Sequence, residues 1–203
     1  MPTSTPTRTD ATAPAPAASR RTLVTRGLAA IAGLGLALTG VAVSAAPAHA
    51  AEPLATVLTY DASGAEEFTD AVDAGAQVWN EHASNVQFEP AEAGQTANVE
   101  VVATDGWPQT WTSSLGNGRV EMGREATAEG HDPIRIAAHE LGHILGLPDM
   151  KPGPCSSLMS GASAGPECTN AIPNADEIAE VEANFGSGRT ESSTTVEHFV
   201  YRD

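Results

Sequence analysis

Positive charge is what this 203-residue chain has least of: ten lysines and arginines stand against 26 aspartates and glutamates, and there is a single lysine, Lys151. Four of the basic residues (Arg8, Arg20, Arg21 and Arg26) fall in the first fifty positions, where the only acid is Asp10, so residues 51–203 carry a net charge of −19. A chain of that sign cannot neutralise a run of phosphates, which excludes nucleic acid as a partner. The charge reads as solubility in an extracellular medium more than as steering of basic substrates. Cysteine is also scarce, with only Cys155 and Cys168, both late in the chain. No internal repeat is visible.

Long apolar runs are missing too, apart from Leu28 to Val43, which is short for a membrane span and rich in Gly and Ala. Arginines precede it, and Ala48-His49-Ala50 follows with small residues at the two cleavage-determining positions. That pattern is an export signal cleaved after Ala50 and leaves no membrane contact afterwards. Ser19-Arg20-Arg21-Thr22-Leu23-Val24 is similar to a twin-arginine signal, and an ordinary secretory signal fits equally well. Either route makes the protein secreted. The expected organisation is a signal over 1–50, one domain over 51–186 and a polar, mobile tail over 187–203. The 153 residues after Ala50 suffice for a single core, and the domain is expected to act as a monomer. Outside the cell Cys155 and Cys168 are expected to pair, which contributes about 3 kcal/mol in the chain-entropy model.

His139-Glu140-Leu141-Gly142-His143-Ile144-Leu145-Gly146-Leu147-Pro148-Asp149 carries the chemistry. On a helix, His139 and His143 are one turn apart on one face, so both rings can reach one Zn²⁺ at about 2.0 to 2.1 Å. Glu140 is then held beside the metal as general base. Gly146 can leave the helix with positive φ, and the turn returns Asp149 toward the same point as a third ligand. A fourth position stays open for water. His-Glu-x-x-His alone can arise on a helix that holds no metal, so the flanking residues add much of its specificity.

The segment resembles the zinc signature of the snapalysin family, small secreted neutral proteases of actinomycetes that are relatives of the metzincins with Asp as third ligand. Gly153-Pro154-Cys155-Ser156-Ser157-Leu158-Met159-Ser160-Gly161 is similar to that family's Met-turn, and Cys168-Thr169-Asn170 with Pro173-Asn174-Ala175 to the segment after it. Weaker similarity in Leu58-Thr59-Tyr60-Asp61 and Val78-Trp79-Asn80 extends the match from about Ala55 to Phe185. The resemblance implies an α+β, metzincin-like zincin with a small mixed sheet, an active-site helix and a C-terminal helix. It also implies a zinc endopeptidase acting on protein or peptide substrates, with Met159 as a hydrophobic floor under the metal. Lys151 departs from the pattern, because Met150-Lys151 stands where the family has a His-Tyr pair suited to the transition-state oxyanion. Lys151 could supply charge to that oxyanion or point into solvent, and a lone lysine on an acidic surface favours solvent.

Periodicity predicts a strand over Ala55 to Tyr60, a helix from Ala65 to about His82, and short strands at Val86 to Phe88, Asn98 to Ala103 and Arg119 to Met122. Trp107-Pro108-Gln109-Thr110-Trp111 reads as a loop, and Leu115-Gly116-Asn117-Gly118 as a loop or hairpin turn. Asp132 and Pro133 suit the Ncap and N1 positions of the site helix. Asp132 is also weighed as a ligand of a structural Ca²⁺, with the cap preferred. Asn174 and Glu177 suit a capping pair for a last helix ended by Gly186. The resemblance implies a substrate that adds antiparallel to an edge strand, for which Arg119 to Met122, just before the site helix, is the candidate.

His82, His131 and His198 read as surface residues, and Trp79 as core. Because no cysteine lies upstream of the zinc motif, latency by a propeptide thiol is excluded. Two functions are compatible with this reading: a secreted zinc endopeptidase, or an extracellular zinc-containing binding protein with weak or no protease activity, which the altered Met150-Lys151 pair motivates. Glu140 and the open coordination position favour the enzyme, since a purely structural zinc needs neither.

Overall fold

A computed structural model of the chain describes residues 54–186 and 199–202. The expected export signal over 1–50, residues 187–198 and hence His198 lie outside the described residues. Element order is β1 (Thr56–Gly64), α1 (Thr69–His82), β2 (Val86–Pro90), β3 (Val99–Thr104), β4 (Gln109–Ser114), β5 (Asn117–Gly123), α2 (Arg124–Ala128), α3 (Pro133–Ile144), α4 (Ala175–Phe185) and β6 (Phe199–Arg202). This is an α+β fold, with one mixed sheet in the order β2-β1-β3-β5-β4-β6. β1 pairs in parallel with β2 and β3, and β3 with β5, while β4 runs antiparallel to both β5 and β6.

Alternation along the strands sends one set of side chains to a single core face. Leu58 and Tyr60, Val86 and Phe88, Val99 and Val101, and Val120 and Met122 are all buried. Onto that face pack α1, through Val72, Ala76 and Trp79, and α3, through Ala137, Ala138, Leu141 and Ile144. Each Val, Leu, Ile or Met side chain among them contributes about 1.5–3 kcal/mol when fully removed from water. Trp79, fully buried, donates its indole N–H to the Ala138 carbonyl at 2.8 Å, which pins α1 to the site helix. Among the described residues no helix is long and apolar enough to cross a membrane.

Two expectations need correcting. Residues 107–111 are not all loop. Trp107-Pro108 does interrupt the chain, but β4 begins at Gln109 and buries Thr110 and Thr112 on alternate positions, a fit for β-branched side chains on a pleated surface. Arg119 to Met122 is not an edge, because β5 is flanked by β3 on one side and β4 on the other. Within the segment expected as a tail, Phe199–Arg202 forms a strand against β4. The short helix α2 had no counterpart in the periodicity.

Candidate metal and catalytic site

Asp132 and Pro133 start α3 as expected: the Asp132 carboxylate accepts the Arg135 backbone N–H at 2.9 Å, and Pro133 occupies the first turn. Asp132 thus serves as a helix cap. Among the described residues, the metal-ligating side chains that gather in a group of three are His139, His143 and Asp149. The helix register puts His139 and His143 on one face, with their Nε2 atoms 3.1 Å apart. Gly146 then turns the chain with φ of +93°, a value that costs a Cβ-bearing residue energy. The turn carries Asp149 back so that its Oδ1 lies 3.3 Å from His139 Nε2 and 3.4 Å from His143 Nε2.

Hydrogen bonds to the rear nitrogens fix both imidazoles. His139 Nδ1–H donates to the Leu158 carbonyl at 3.0 Å, and His143 Nδ1–H to the Leu147 carbonyl at 2.8 Å. A carbonyl can only accept, so each ring presents an unprotonated Nε2 to the shared point, the arrangement typical of metal-ligating histidine. Burial holds the His143 pKa below the ordinary value, with His139 beside it acting the same way against the opposing pull of Asp149. The neutral form is the one that ligates. Burial pushes Asp149 up, while the Lys151 charge beside it works the other way and favours the ionised form, the one that ligates. Its Oδ1 is buried and accepts no hydrogen bond of normal geometry among the described residues. Two nitrogens and one carboxylate oxygen within 4.8 Å of one another form a donor set suited to zinc.

Glu140, one residue on from His139, is almost fully buried. The Thr110 hydroxyl donates to Glu140 Oε2 at 2.6 Å, reaching from β4 to α3. Thr110 was missed in the sequence because its segment reads as a loop; the alternation of Thr110 and Thr112 is the signal that marks it. Lys151 does not point away into solvent. Its ammonium lies 3.2 Å from Asp149 Oδ1, and its side chain is 26% exposed.

The floor of the site is built from the following loop. Met159 is buried, and a Cβ at Gly142 would sit 2.8 Å from its Sδ, so the methionine packs against the glycine face of the site helix. Met150 N–H donates to the Met159 carbonyl at 2.7 Å, tying the segment after Asp149 to this turn. Arg135, buried in α3, donates to the Ser157 carbonyl at 3.0 Å, to Ser160 Oγ at 2.9 Å and to the Asn170 carbonyl. Cys155 and Cys168 form a disulfide that closes the loop. Next to His139 lies a small pocket lined by Trp107, His131, Asp132, Arg135 and Ala162 among others. Trp107 meets the His131 ring edge-on within it. His82 is at the end of α1, its Nδ1 2.8 Å from the Val78 carbonyl and away from the site.

Tyr201 of β6 was not anticipated at the site. Its ring stacks on His143 with centroids 4.1 Å apart and planes 10° from parallel. Burial, and then the charge of Asp149, push its phenol above the ordinary value. Only the aromatic, apolar alternation at the chain's end hints at it in the sequence.

Comparison with known proteins gives the same direction. Residues 55–188 match the Streptomyces extracellular neutral proteinase (M7) family. A protein of Streptomyces caespitosus named extracellular small neutral protease is 39% identical over 133 residues, covering 64% of this chain and 98% of the relative. Proteins of the same name from Streptomyces sp. (strain C5) and Streptomyces coelicolor are 38% and 36% identical over 154 and 151 residues. These alignments cover 71% and 73% of this chain, and 64% and 69% of the two relatives. With most of the chain matched, the protein belongs to the M7 family of extracellular neutral proteinases, a family of secreted metalloendopeptidases.

Proposed function

We propose that this chain is a secreted endopeptidase that uses one Zn²⁺ held by His139, His143 and Asp149, with Glu140 as general base. The convergence of His139 Nε2, His143 Nε2 and Asp149 Oδ1, beside the buried Glu140, supports this reading most directly. Zinc bound there would supply Lewis acidity, lowering the pKa of water to about 7 and polarising a carbonyl. Glu140 takes the proton of the attacking water and hands it to the leaving amine as the peptide bond breaks. Thr110 fixes the carboxylate's orientation through its hydroxyl, so the base is aimed before substrate arrives. The Leu158 and Leu147 carbonyls hold the two rings in the tautomer the metal needs.

An extended peptide reaches the site along β4, the strand that carries Thr110. The strongly acidic domain works as a monomer on protein or peptide, away from nucleic acid and membrane.

The test is cleavage of denatured casein by the purified domain from Ala51, with zinc measured on the same sample and Glu140→Ala as control. Loss of about 10²- to 10⁴-fold in rate with zinc retained is expected. Equal cleavage by both forms removes Glu140 from the mechanism. Bound zinc with no cleavage by the unaltered domain supports the extracellular binding-protein reading, for which the Lys151–Asp149 pair is the structural motive.

A further inference from the structure

We propose that the C-terminal strand Phe199–Arg202 is a built-in competitor of substrate, occupying the peptide-binding edge of the site; this rests on the protease reading above. The family match ends at residue 188, so β6 lies beyond the part of the chain that the M7 family describes. It nevertheless returns to the active site. Phe199, Val200, Tyr201 and Arg202 pair antiparallel with Thr112, Trp111, Thr110 and Gln109. Because β5 takes the other side of β4, this is the side of β4 open to an added strand, and it can pair with one strand at a time.

Position as well as pairing matches a peptide ligand. Tyr201 stands opposite Thr110, whose hydroxyl holds Glu140, and its ring lies flat on the metal-ligand histidine His143. Antiparallel to β4, the tail runs from Thr112 toward Gln109, hence toward Trp107 and the cavity that His139 lines. A substrate on the same edge needs the same backbone pairing and the space above His143 that the Tyr201 ring fills. Binding of tail and substrate is therefore mutually exclusive.

The effect is attenuation and not a block. Four residues of added strand bind weakly in isolation, while tethering gives an effective concentration in the millimolar range. The two are of similar size, so the tail is displaced by substrate at modest cost, and its removal is expected to raise kcat/KM by about 2- to 3-fold. As a competitor it acts through KM and leaves kcat unchanged.

The experiment uses the zinc-loaded chain from Ala51 to Asp203 and its full-length variants Tyr201→Pro and Tyr201→Phe. Proline removes the backbone N–H and the stacked ring together, whereas phenylalanine keeps both. Hydrogen exchange at the amides of Gln109 to Thr112 reads the tail independently of catalysis, and steady-state kinetics on an unstructured peptide reads the competition. Expected are faster exchange and a lower KM in Tyr201→Pro, unaltered behaviour in Tyr201→Phe, and return of the higher KM when the peptide Phe-Val-Tyr-Arg-Asp is added to Tyr201→Pro. Equal exchange and equal KM in all three proteins overturn the proposal. If none of them cleaves peptide, the protease reading falls, and exchange at β4 with and without the free peptide still decides whether the tail occupies the edge.

Discussion

Lys151 brings a cation to the oxygen that faces both histidine nitrogens, since its ammonium lies 3.2 Å from Asp149 Oδ1. A fixed positive charge beside a metal ligand opposes the arrival of a divalent cation, and the partial exposure of the pair screens but does not cancel that opposition. Lys151→Met, similar in length and uncharged, is therefore expected to bind zinc about 3- to 10-fold more tightly, measured by competition with a chelator of known affinity. Its kcat tests the oxyanion role: an unchanged value makes Lys151 a partner of Asp149 alone, and a fall of tenfold or more gives it a part in stabilising the oxyanion. The spacing of His139, Glu140, His143 and Asp149 was legible because one helical turn and one glycine-bearing corner are local matters. Thr110 and Tyr201 were not, because their relevance comes from strand pairings that join residues far apart in the chain.

At the scale of elements, one carboxylate couples the last helix to the floor of the site. Asn174 and Glu177 form the capping box read from the sequence, with Glu177 Oε2 accepting the Asn174 N–H at 2.7 Å. The same carboxylate also accepts the Ser157 hydroxyl at 2.6 Å, the Met159 N–H at 2.9 Å and the Leu158 N–H at 3.2 Å. Glu177 is 5% exposed, so water cannot replace what is lost. Glu177→Gln keeps the shape but puts an amide NH2 where an acceptor is needed, leaving at least one buried N–H or hydroxyl without a partner. A loss of about 2–4 kcal/mol is expected, seen as a fall in Tm on the order of 10 °C. Leu158 carries the carbonyl that holds His139, so zinc affinity should weaken in the same variant. The helix pattern was plain because capping acts over three residues and the apolar stripe over one turn. The strands were read less well. Trp107-Pro108 masked the start of β4, and the order β3-β5-β4 made an inner strand of the segment expected at the edge.

For the whole molecule, the sheet and α1 set the position of α3, and the loop from Asp149 to Cys168 encloses the metal site from the other side. A metal on the proposed ligands would bridge the site helix and the loop that the Cys155–Cys168 disulfide closes. Such a bridge exists in the folded state alone, since His139, His143 and Asp149 meet only through the Gly146 turn. Zinc held there would be linked to folding: at a free concentration 100 times the dissociation constant it is expected to stabilise by about 2.7 kcal/mol. For a domain of this size that corresponds to a rise in Tm of roughly 5–11 °C. Calorimetric scans of the chain from Ala51, with zinc and with a chelator, check the shift. Asp149→Ala removes the ligand supplied by the loop and leaves the two on α3. It should thus keep a folded domain while reducing the zinc-induced shift to a small fraction of the original. A shift of full size in that variant would mean that the metal sits on the helix alone, and that the loop takes no part in holding it.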